Sequence, residues 1–397
     1  MGVRFQSLNR KKIGRDDMII TLIVDQYGVT TNGTTMTAMQ LAETLEKHGH
    51  TVRVVAAESN GLPNVFATGV KYRPIVYEVS KSQGMIFAKA NKRILEKAIK
   101  DADIVHFYLP FKLERVGKKI ADALGVPSTA AYHLQPENIT STIYLNRFEF
   151  INTSIYKLFR RFYNRFDHVH CPSDMIANQL KKNGYTSKLH VISNGVHQRF
   201  QPKTVEKPEE LKDKFVILMV GRYSREKRQD LIIKAVLESK YESQIQLIFA
   251  GKGPWKSHLE KLGKDLTNPI IFNFYDQEEL VRVMNYADLY IHASDAEIEA
   301  IACIEAFSCG LVPIISDSEI SATNQFALTS DNLFNAGDAM DLKQKIEYFI
   351  ENEAKRQELS KRYIEYGKTF SLDYCVSRME EMFEEAIRDY HNSRVAI

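Results

Sequence analysis

The chain has 397 residues, of which 44% are hydrophobic and 26% charged, and this composition is typical of a globular protein with room for two domains. No apolar run approaches the ~20 residues of a membrane-spanning helix, which argues against an integral membrane protein. The four cysteines form no CxxC pair, so we expect neither a disulfide framework nor a structural zinc site, and we expect a cytoplasmic protein.

The net charge of +3 hides an asymmetry between the two halves of the chain. Residues 1–200 carry 28 Lys and Arg against 16 Asp and Glu, whereas the remainder carries 25 against 34. The basic half predicts an anionic surface or ligand, and membrane lipid or phosphate is favoured over nucleic acid because no nucleic-acid-binding motif is present.

Residues 1–17 are polar and basic with no apolar segment, so we predict a flexible extension rather than a secretory signal. Strand and helix patterns then alternate along the first half. Strands are predicted at 19–24, 51–56, 104–108 and 128–132, and helices at 37–48, 83–100 and 114–124. Strands that alternate with crossover helices predict a parallel, doubly wound sheet.

The second half repeats this alternation after a linker rich in proline and charge at 200–210. Strands are predicted at 215–220, 246–250, 270–273, 289–292 and 312–316, and helices at 228–237, 256–264, 278–285 and 302–308. The tail at 342–390 is strongly helical. We therefore predict Rossmann-like domains at 18–199 and 200–372, with a final helix at 373–397 that crosses back to the first domain.

Two glutamates, Glu297 and Glu305, stand eight positions apart where the strand at 289–292 leads into an apolar helix. Eight residues at ~100° each bring the second carboxylate to within about 80° of the first, so both could hold one polar ligand. The carboxyl end of a parallel strand, beside a helix N-terminus, is where open α/β sheets bind nucleotides.

A cationic turn follows the strand at 215–220. Gly221 lets the backbone approach a ligand, and Arg222 and Lys227 could neutralise a diphosphate; the alternative is a solvated basic loop. Gly251 and Gly253 follow the next strand at the same sheet edge, where they could equally form only a tight turn.

In the first domain, Asn32 and Gly33 lie in a loop that opens a helix after the first strand. The loop is not GxGxxG, so a nicotinamide or flavin site is disfavoured, but it suits a phosphate or a sugar; a plain helix cap is the alternative. His133 follows the strand at 128–132 and points toward the cleft, although a lone histidine is more often structural.

Residues 144–166 predict an amphipathic helix in which aromatic residues recur at helical spacing between arginines and lysines. Such a helix can lie on an anionic membrane, or it can simply pack into the first domain. Asp101 and Asp103 have the spacing of a metal-binding pair, but we expect them to turn the chain, and we predict no metal site.

Taken in order, these motifs resemble the retaining glycosyltransferases of family 4, whose GT-B fold has two Rossmann-like domains that face each other across a cleft. The resemblance covers nearly the whole chain from Met18. It rests on Asn32-Gly33-Thr34, His133, Cys171-Pro-Ser173, the segment 191–196, Gly221-Arg222, Glu226-Lys227, Gly251 with Gly253, and Glu297 with Glu305, Ala306, Gly310 and Pro313.

The resemblance implies a nucleotide-diphosphate sugar held mainly by the second domain, an acceptor held by the first, and no cofactor or metal. It assigns the diphosphate to Arg222 and Lys227, the ribose to Glu305 and the donor sugar to Glu297. It also implies that Gly33 approaches the phosphates and that His133 faces the anomeric carbon.

One segment departs from the family pattern, which usually has Gly-Phe-Gly or a similar run after the first glutamate. Here Ile298-Glu299-Ala300 follows Glu297, and Glu299 adds a charge that could be a third donor contact. We include Glu299, Ala300 and Ile301 in the predicted donor site.

The basic first half and the amphipathic helix are similar to those of bacterial enzymes that glucosylate diacylglycerol at a membrane surface. We therefore expect glucose transfer from UDP-glucose to a lipid by a peripheral membrane enzyme. Two alternatives stay open: a soluble transferase that builds exopolysaccharide, wall polymer or protein-linked glycan, and a non-catalytic partner subunit with the same fold.

Overall fold

The computed structural model of the protein describes residues 17–29, 33–72, 86–137, 140 and 149–395. Its strands form two separate parallel sheets, one in each half of the chain. The predicted α/β class with two Rossmann-like domains is confirmed.

The first domain contains, among the described residues, a seven-stranded parallel sheet. Its strands are β1 (Ile19–Ile23), β2 (Thr51–Ala56), β3 (Val65–Ala67), β4 (Ile104–Phe107), β5 (Ser128–Ala131), β6 (His168–Cys171) and β7 (Lys188–Val191). They run in the order β3-β2-β1-β4-β5-β6-β7. The chain order reverses between β1 and β4, so the loops after these strands leave a crevice at the carboxyl edge of the sheet.

Helices cover both faces of this first sheet. They are α1 (Gly33–Lys47), α2 (Lys92–Ile99), α3 (Lys112–Leu124), α4 (Glu149–Tyr163) and α5 (Asp174–Lys182). Leu95, Leu113, Phe159 and Ile176 show that α2 to α5 share one apolar core, while α1 packs on the opposite face. The central strand β1 is almost entirely buried, which explains why its sequence is a nearly continuous apolar run.

The second domain has a six-stranded parallel sheet within the described ranges. Its strands are β8 (Phe215–Val220), β9 (Ile245–Ala250), β10 (Ile271–Asn273), β11 (Leu289–His292), β12 (Pro313–Ser316) and β13 (Leu333–Phe334). Their order is β10-β9-β8-β11-β12-β13, so the reversal lies between β8 and β11. The loops after these two strands carry the cationic turn and Glu297.

The helices of the second domain enclose a single extensive core. They are α6 (Gln229–Leu237), α7 (Lys256–Leu262), α8 (Gln277–Tyr286), α9 (Ile301–Ser308), α10 (Ala339–Glu351) and α11 (Glu353–Gly367). Cys303 and Cys309 lie in this core as buried free thiols, as the apolar surroundings of both residues predict.

The last helix, α12 (Leu372–Val395), returns to the first domain, as predicted. Its residues Val376, Met379 and Phe383 share a core with Leu41 of α1. The crossing is held by two backbone hydrogen bonds, from Val196 N to Phe370 O at 2.8 Å and from Leu372 N to Val196 O at 2.9 Å.

One predicted helix is shorter in the structure. The prediction for 83–100 extends well before α2, which begins at Lys92, and residues 83–85 lie outside the described residues. Ala88 instead forms an antiparallel bridge with Val70, and its N–H donates to Asp25 Oδ1 at 2.7 Å. Asn91 then caps the helix by accepting from Ile94 N. Local periodicity did not reveal this pairing because its partners are far away in sequence.

Candidate functional site

Glu297, Lys227 and His292 meet at the carboxyl edge of the second sheet, at its topological switch point. Lys227 donates to Glu297 Oε1, and His292 Nε2 lies 3.1 Å from the same oxygen. A backbone bond from Asp295 N to Glu226 O, at 2.8 Å, ties the two loops together. The structure thus brings together the predicted residues Lys227 and Glu297, which are 70 positions apart.

The charge on Glu297 follows from these neighbours. Burial alone would raise the pKa of Glu297, but Lys227 and the hydrogen bond from His292 outweigh burial and hold that pKa below its ordinary value. Burial lowers the pKa of His292 despite the nearby carboxylate. A neutral His292 therefore donates its Nε2–H to Glu297 and accepts at Nδ1 from the Tyr290 hydroxyl, 3.2 Å away.

His292 is a site residue that the sequence analysis missed. It was assigned only to the end of a buried strand, yet it is the residue through which Tyr290 supports Glu297. A polar residue that ends an otherwise apolar parallel strand was the available signal, because strand ends at this edge face the crevice.

The cationic turn is organised around Glu226. Its Oε1 accepts from Ser224 Oγ at 2.5 Å and from Arg222 Nη2 at 3.3 Å. Gln229 Nε2 donates to the Arg222 carbonyl at 3.0 Å, which ties the start of α6 to the turn. The Arg222 side chain is 38% exposed and lies on the same turn as Lys227.

The glycines after β8 and β9 let two loops touch. A Cβ on Gly251 would lie 2.1 Å from the Gly221 carbonyl oxygen, and a Cβ on Gly253 would lie 2.3 Å from the Tyr223 oxygen. A Cβ on Gly221 would make only an ordinary contact with the Lys227 stem, at 3.6 Å. The need for Gly251 and Gly253 therefore comes from the protein backbone, a reason that their spacing did not reveal.

Glu305 lies half-buried on α9, in the second turn, as predicted. Burial raises the pKa of Glu305 to about 8, although Arg199 acts in the opposite direction. Arg199 comes from the end of the first domain. At neutral pH, Glu305 therefore keeps a proton that it can donate to a ligand oxygen.

Glu299, which we included in the predicted donor site, is hydrogen-bonded to the first domain. The Glu299 carboxylate accepts from Ser193 Oγ and from the side chain and backbone N–H of Asn194, the backbone bond being 3.1 Å. A buried carboxylate needs such donors, and here the first domain supplies them. Glu299 thus links the two domains, and Ser173 Oγ donates across the same boundary to Ile298 O at 2.7 Å.

Ala300 occupies a backbone conformation that favours glycine. It has φ 67° and ψ 61° at the N-cap of α9, in the left-handed region. The usual family glycine is thus missing at a position where the backbone still adopts the conformation typical of glycine. Ile301 begins α9 and packs against the core of the second domain.

In the first domain, His133 lies at the crevice edge of the sheet. Its ring stacks on Tyr108 at 5.3 Å and meets His170 edge-on at 5.6 Å. Burial, followed by His170, lowers the pKa of His133 to about 3, so the imidazole is neutral. His133 Nε2 and His170 Nδ1 are buried with no hydrogen-bond partner within the described part of the chain.

These rings line a small pocket between the first sheet, α1 and α12. Asn194, which binds Glu299, lies in the same lining. Tyr108, His106 and His170 belong to this pocket but were not in the predicted site. The pocket walls thus offer polar atoms that a ligand hydroxyl could satisfy.

Gly33 is the first residue of α1 and is exposed; Asn32 lies outside the described residues. Asp103 accepts from Ile19 N at 2.8 Å, and Asp101 has a left-handed φ of 64°, so both turn the chain as expected.

The predicted amphipathic helix is present as α4, and Tyr144 and Phe148 fall outside the described residues. Phe159, Phe162 and Tyr163 pack into the core, whereas Phe150 and Leu158 are 69% and 47% exposed. In the part of the chain that the structure describes, no helix is long and apolar enough to cross a membrane.

Two family models match the chain, one over each domain. The model described as Glycosyltransferase Family 4 matches residues 31–199, and the model described as Glycosyl transferases group 1 matches residues 200–370. The chain belongs to glycosyltransferase family 4. The chain is therefore a glycosyltransferase.

Similar proteins include two lipid glycosyltransferases. The family 4 chain is 26% identical over 335 residues to the alpha-monoglucosyldiacylglycerol synthase of Streptococcus pneumoniae, with 80% of this chain and 75% of the relative covered. It is 24% identical to the synthase of the same name from Acholeplasma laidlawii, with 75% and 80% covered.

Among solved structures, Anabaena Alr3699/HepE in complex with UDP-glucose aligns with a TM-score of 0.72. The alignment covers 93% of this chain and all of that chain at 16% identity, so it shows the shared fold alone.

Proposed function

We propose that this family 4 glycosyltransferase moves glucose from UDP-glucose to a membrane lipid of the diacylglycerol type, with retention of the anomeric configuration. The observation that carries the proposal is the cluster of Lys227, Glu297 and His292 at the switch point of the second sheet. It combines a cation for a phosphate with an ionised carboxylate for sugar hydroxyls, in the crevice where α/β sheets bind nucleotides.

On this proposal, Arg222 and Lys227 bind the diphosphate. An ammonium group has three N–H donors, so Lys227 can keep its bond to Glu297 and still donate to a phosphate oxygen. Gly33, at the start of α1, approaches the phosphates from the other domain. The two cations stabilise the negative charge that develops as the diphosphate leaves, a role that a metal ion would otherwise take.

Glu305 would bind the ribose hydroxyls and Glu297 those of the donor sugar. Because Glu297 is ionised and is held from two sides, it can accept hydrogen bonds from sugar hydroxyls without moving. The neutral His133 would face the anomeric carbon. In a same-face attack, the acceptor oxygen bonds to this carbon as the bond to the β-phosphate breaks, and the departing phosphate oxygen takes the acceptor proton.

The acceptor assignment rests on the relatives and on α4. Both synthases are named for a glucosylated diacylglycerol. The exposed side of α4 presents Phe150 and Leu158 beside the exposed Lys157 and Arg161. Apolar residues flanked by cations favour a surface of anionic lipid, which fits a peripheral membrane enzyme.

The test is turnover with defined donors and acceptors. The full chain is incubated with UDP- or GDP-sugars and anionic vesicles that contain diacylglycerol, with parallel reactions that contain a sterol or soluble glycans. We expect UDP release and an α-linked glucolipid, identified by mass spectrometry and by the anomeric coupling constant. Transfer only to soluble glycans would refute the lipid acceptor, and a β-linked product would refute retention.

A further inference from the structure

A cluster of histidine and carboxylate side chains lies at the edge of the first sheet, where α12 covers β6 and β7. His168 Nδ1 is 2.9 Å from His190 Nε2, and the two rings stack with centroids 5.1 Å apart. Glu385 Oε2 on α12 lies 4.0 Å from His190 Nε2. One turn later on the same helix, Asp389 Oδ2 lies 3.2 Å from His168 Nε2.

The contact with Asp389 determines which nitrogen of His168 can bind a ligand. A carboxylate accepts a hydrogen bond, so His168 Nε2 carries the proton and Nδ1 has a lone pair that faces His190. A carboxylate that holds the second nitrogen of a histidine is the usual outer partner of a metal ligand. His168 is almost completely buried, which keeps this orientation in place.

Glu385 is also held in position by a neighbour. Lys188 on β7 donates to Glu385 Oε1, which leaves the other oxygen, Oε2, directed at His190. The donor atoms of His168, His190 and Glu385 all lie within 4.8 Å of one another. Two strands and one helix thus present three donor atoms to one point.

The spacing suits a tetrahedral ion. With bonds of about 2.0–2.2 Å to nitrogen and oxygen, neighbouring ligands of zinc stand about 3.3 Å apart. The observed separations of 2.9 and 4.0 Å lie on either side of that value. Imidazole nitrogens with one carboxylate are a donor set that favours zinc over magnesium or calcium.

Contrary to the expectation from the sequence, we propose that His168, His190 and Glu385 bind Zn²⁺, with Asp389 as the residue that orients His168. Water would complete the tetrahedron. The site lies away from the switch-point cluster of the second domain, and its role would be structural: the ion would fasten the returning helix α12 to the sheet.

The test uses the full chain, stripped of metal with a chelator and then titrated with ZnCl₂ by calorimetry. We expect one equivalent to bind, with a higher midpoint of thermal unfolding. Co²⁺ in place of zinc should give the intense visible absorption of a tetrahedral site. Absence of stoichiometric zinc binding to the wild-type chain would overturn the proposal.

Variants separate this site from adventitious binding. We expect His190→Ala and Glu385→Gln each to weaken zinc binding at least about 100-fold, and Asp389→Asn to weaken it by about 10- to 100-fold. Glu384→Gln, the neighbouring carboxylate on α12, is the matched control and should bind as the wild type does. Circular dichroism checks that each variant is folded, and unchanged zinc affinity in a folded His190→Ala/Glu385→Gln double variant would overturn the assignment.

Discussion

Glu297 is a largely buried carboxylate, 13% exposed, that stays ionised because Lys227 and His292 face it from two sides. Removing one partner of such a buried pair costs about 3–5 kcal/mol, because the remaining charge is left without compensation. The site is therefore sensitive to each member of the cluster, and Lys227 has two roles, as the partner of Glu297 and as the proposed phosphate ligand.

Lys227→Ala should lower turnover of the nucleotide sugar by at least about 100-fold, the usual effect of removing a group that stabilises developing charge. Lys234→Ala, which removes an exposed lysine on α6, is the control and should leave turnover unchanged. Steady-state UDP release measures both variants. The double variant Lys227→Met/Glu297→Gln, which leaves no unpaired charge, should also be inactive; activity in it would argue against the proposed roles.

Ala300 offers a second residue-level test because its φ of 67° is unfavourable for any side chain with a Cβ. A left-handed residue costs about 1–2 kcal/mol, whereas the extra freedom of glycine in the unfolded chain costs about 0.4–1 kcal/mol. Ala300→Gly should therefore unfold at a slightly higher denaturant concentration. Ala302→Gly, inside α9, should lose about 0.5–1 kcal/mol. A less stable Ala300→Gly protein would contradict this account.

At the level of elements, α4 has apolar residues on two faces. Its inner face supplies Phe159, Phe162 and Tyr163 to the core, and its outer face carries Phe150 and Leu158. The sequence predicted the amphipathic pattern but left open which apolar residues face solvent. The spacing of apolar residues does not show how much of the apolar stripe the core covers.

Leu158→Gln should weaken binding to anionic vesicles, since it removes apolar area from the proposed membrane face. Leu124→Gln is a closely matched control: Leu124 is 45% exposed against 47% for Leu158, but it lies at the end of α3. Vesicle co-sedimentation at low and high salt compares the two variants. Equal loss of vesicle binding in both variants would contradict the proposal that α4 contacts the membrane.

At the scale of the whole molecule, the two domains are joined by the crossing of the chain at Val196 and by Glu299. Gly195 is essential to the crossing: its φ is +79°, and a Cβ there would lie 2.7 Å from the Leu372 Cα. To relieve this clash, the backbone hydrogen bonds of Val196 with Phe370 and Leu372 would have to break.

Gly195→Ala should destabilise the protein more than Gly61→Ala. Gly61 has nearly the same φ, +78°, but a Cβ there meets no described atom within 4 Å. Both variants incur the left-handed cost of about 1–2 kcal/mol, and only Gly195→Ala adds the backbone clash. Equal midpoints of denaturant unfolding for the two variants would contradict the expected cost of the clash between residue 195 and Leu372.

Glu299 makes the link between the domains depend on pH. Burial raises the pKa of Glu299 to about 7, against 4.5 for a free side chain, although Ser193 and Asn194 oppose the shift. The folded protein therefore binds the proton more tightly, and the stability from this group is present below pH 4.5 and is lost as pH rises through about 7. Relative to Glu299→Gln, the wild type should lose stability between pH 5 and 8. If the thermal unfolding midpoints of the wild type and of Glu299→Gln changed in the same way with pH, the raised pKa of Glu299 would be contradicted.

The sequence alone predicted the two-domain architecture, the family motifs and nine of the thirteen described strands, but not β3, β6, β7 or β13. These features are local or repeat at fixed spacing, and most predicted strand bounds agree with the structure to within one residue because buried parallel strands are continuous apolar runs. The same pattern predicted that Glu297 and the cationic turn follow the carboxyl ends of strands, whereas the strand order that makes this edge a switch point came from the structure.

Only the tertiary structure decided how the side chains are paired. Glu299 turns to Ser193 and Asn194, His292 supports Glu297, and His168 and His190 meet Glu385 from the last helix. The residues that contact Glu299 are over 100 positions away, and Glu385 is nearly 200 positions from His190. No periodicity spans such separations, because these neighbours are set by sheet order and by the return of α12.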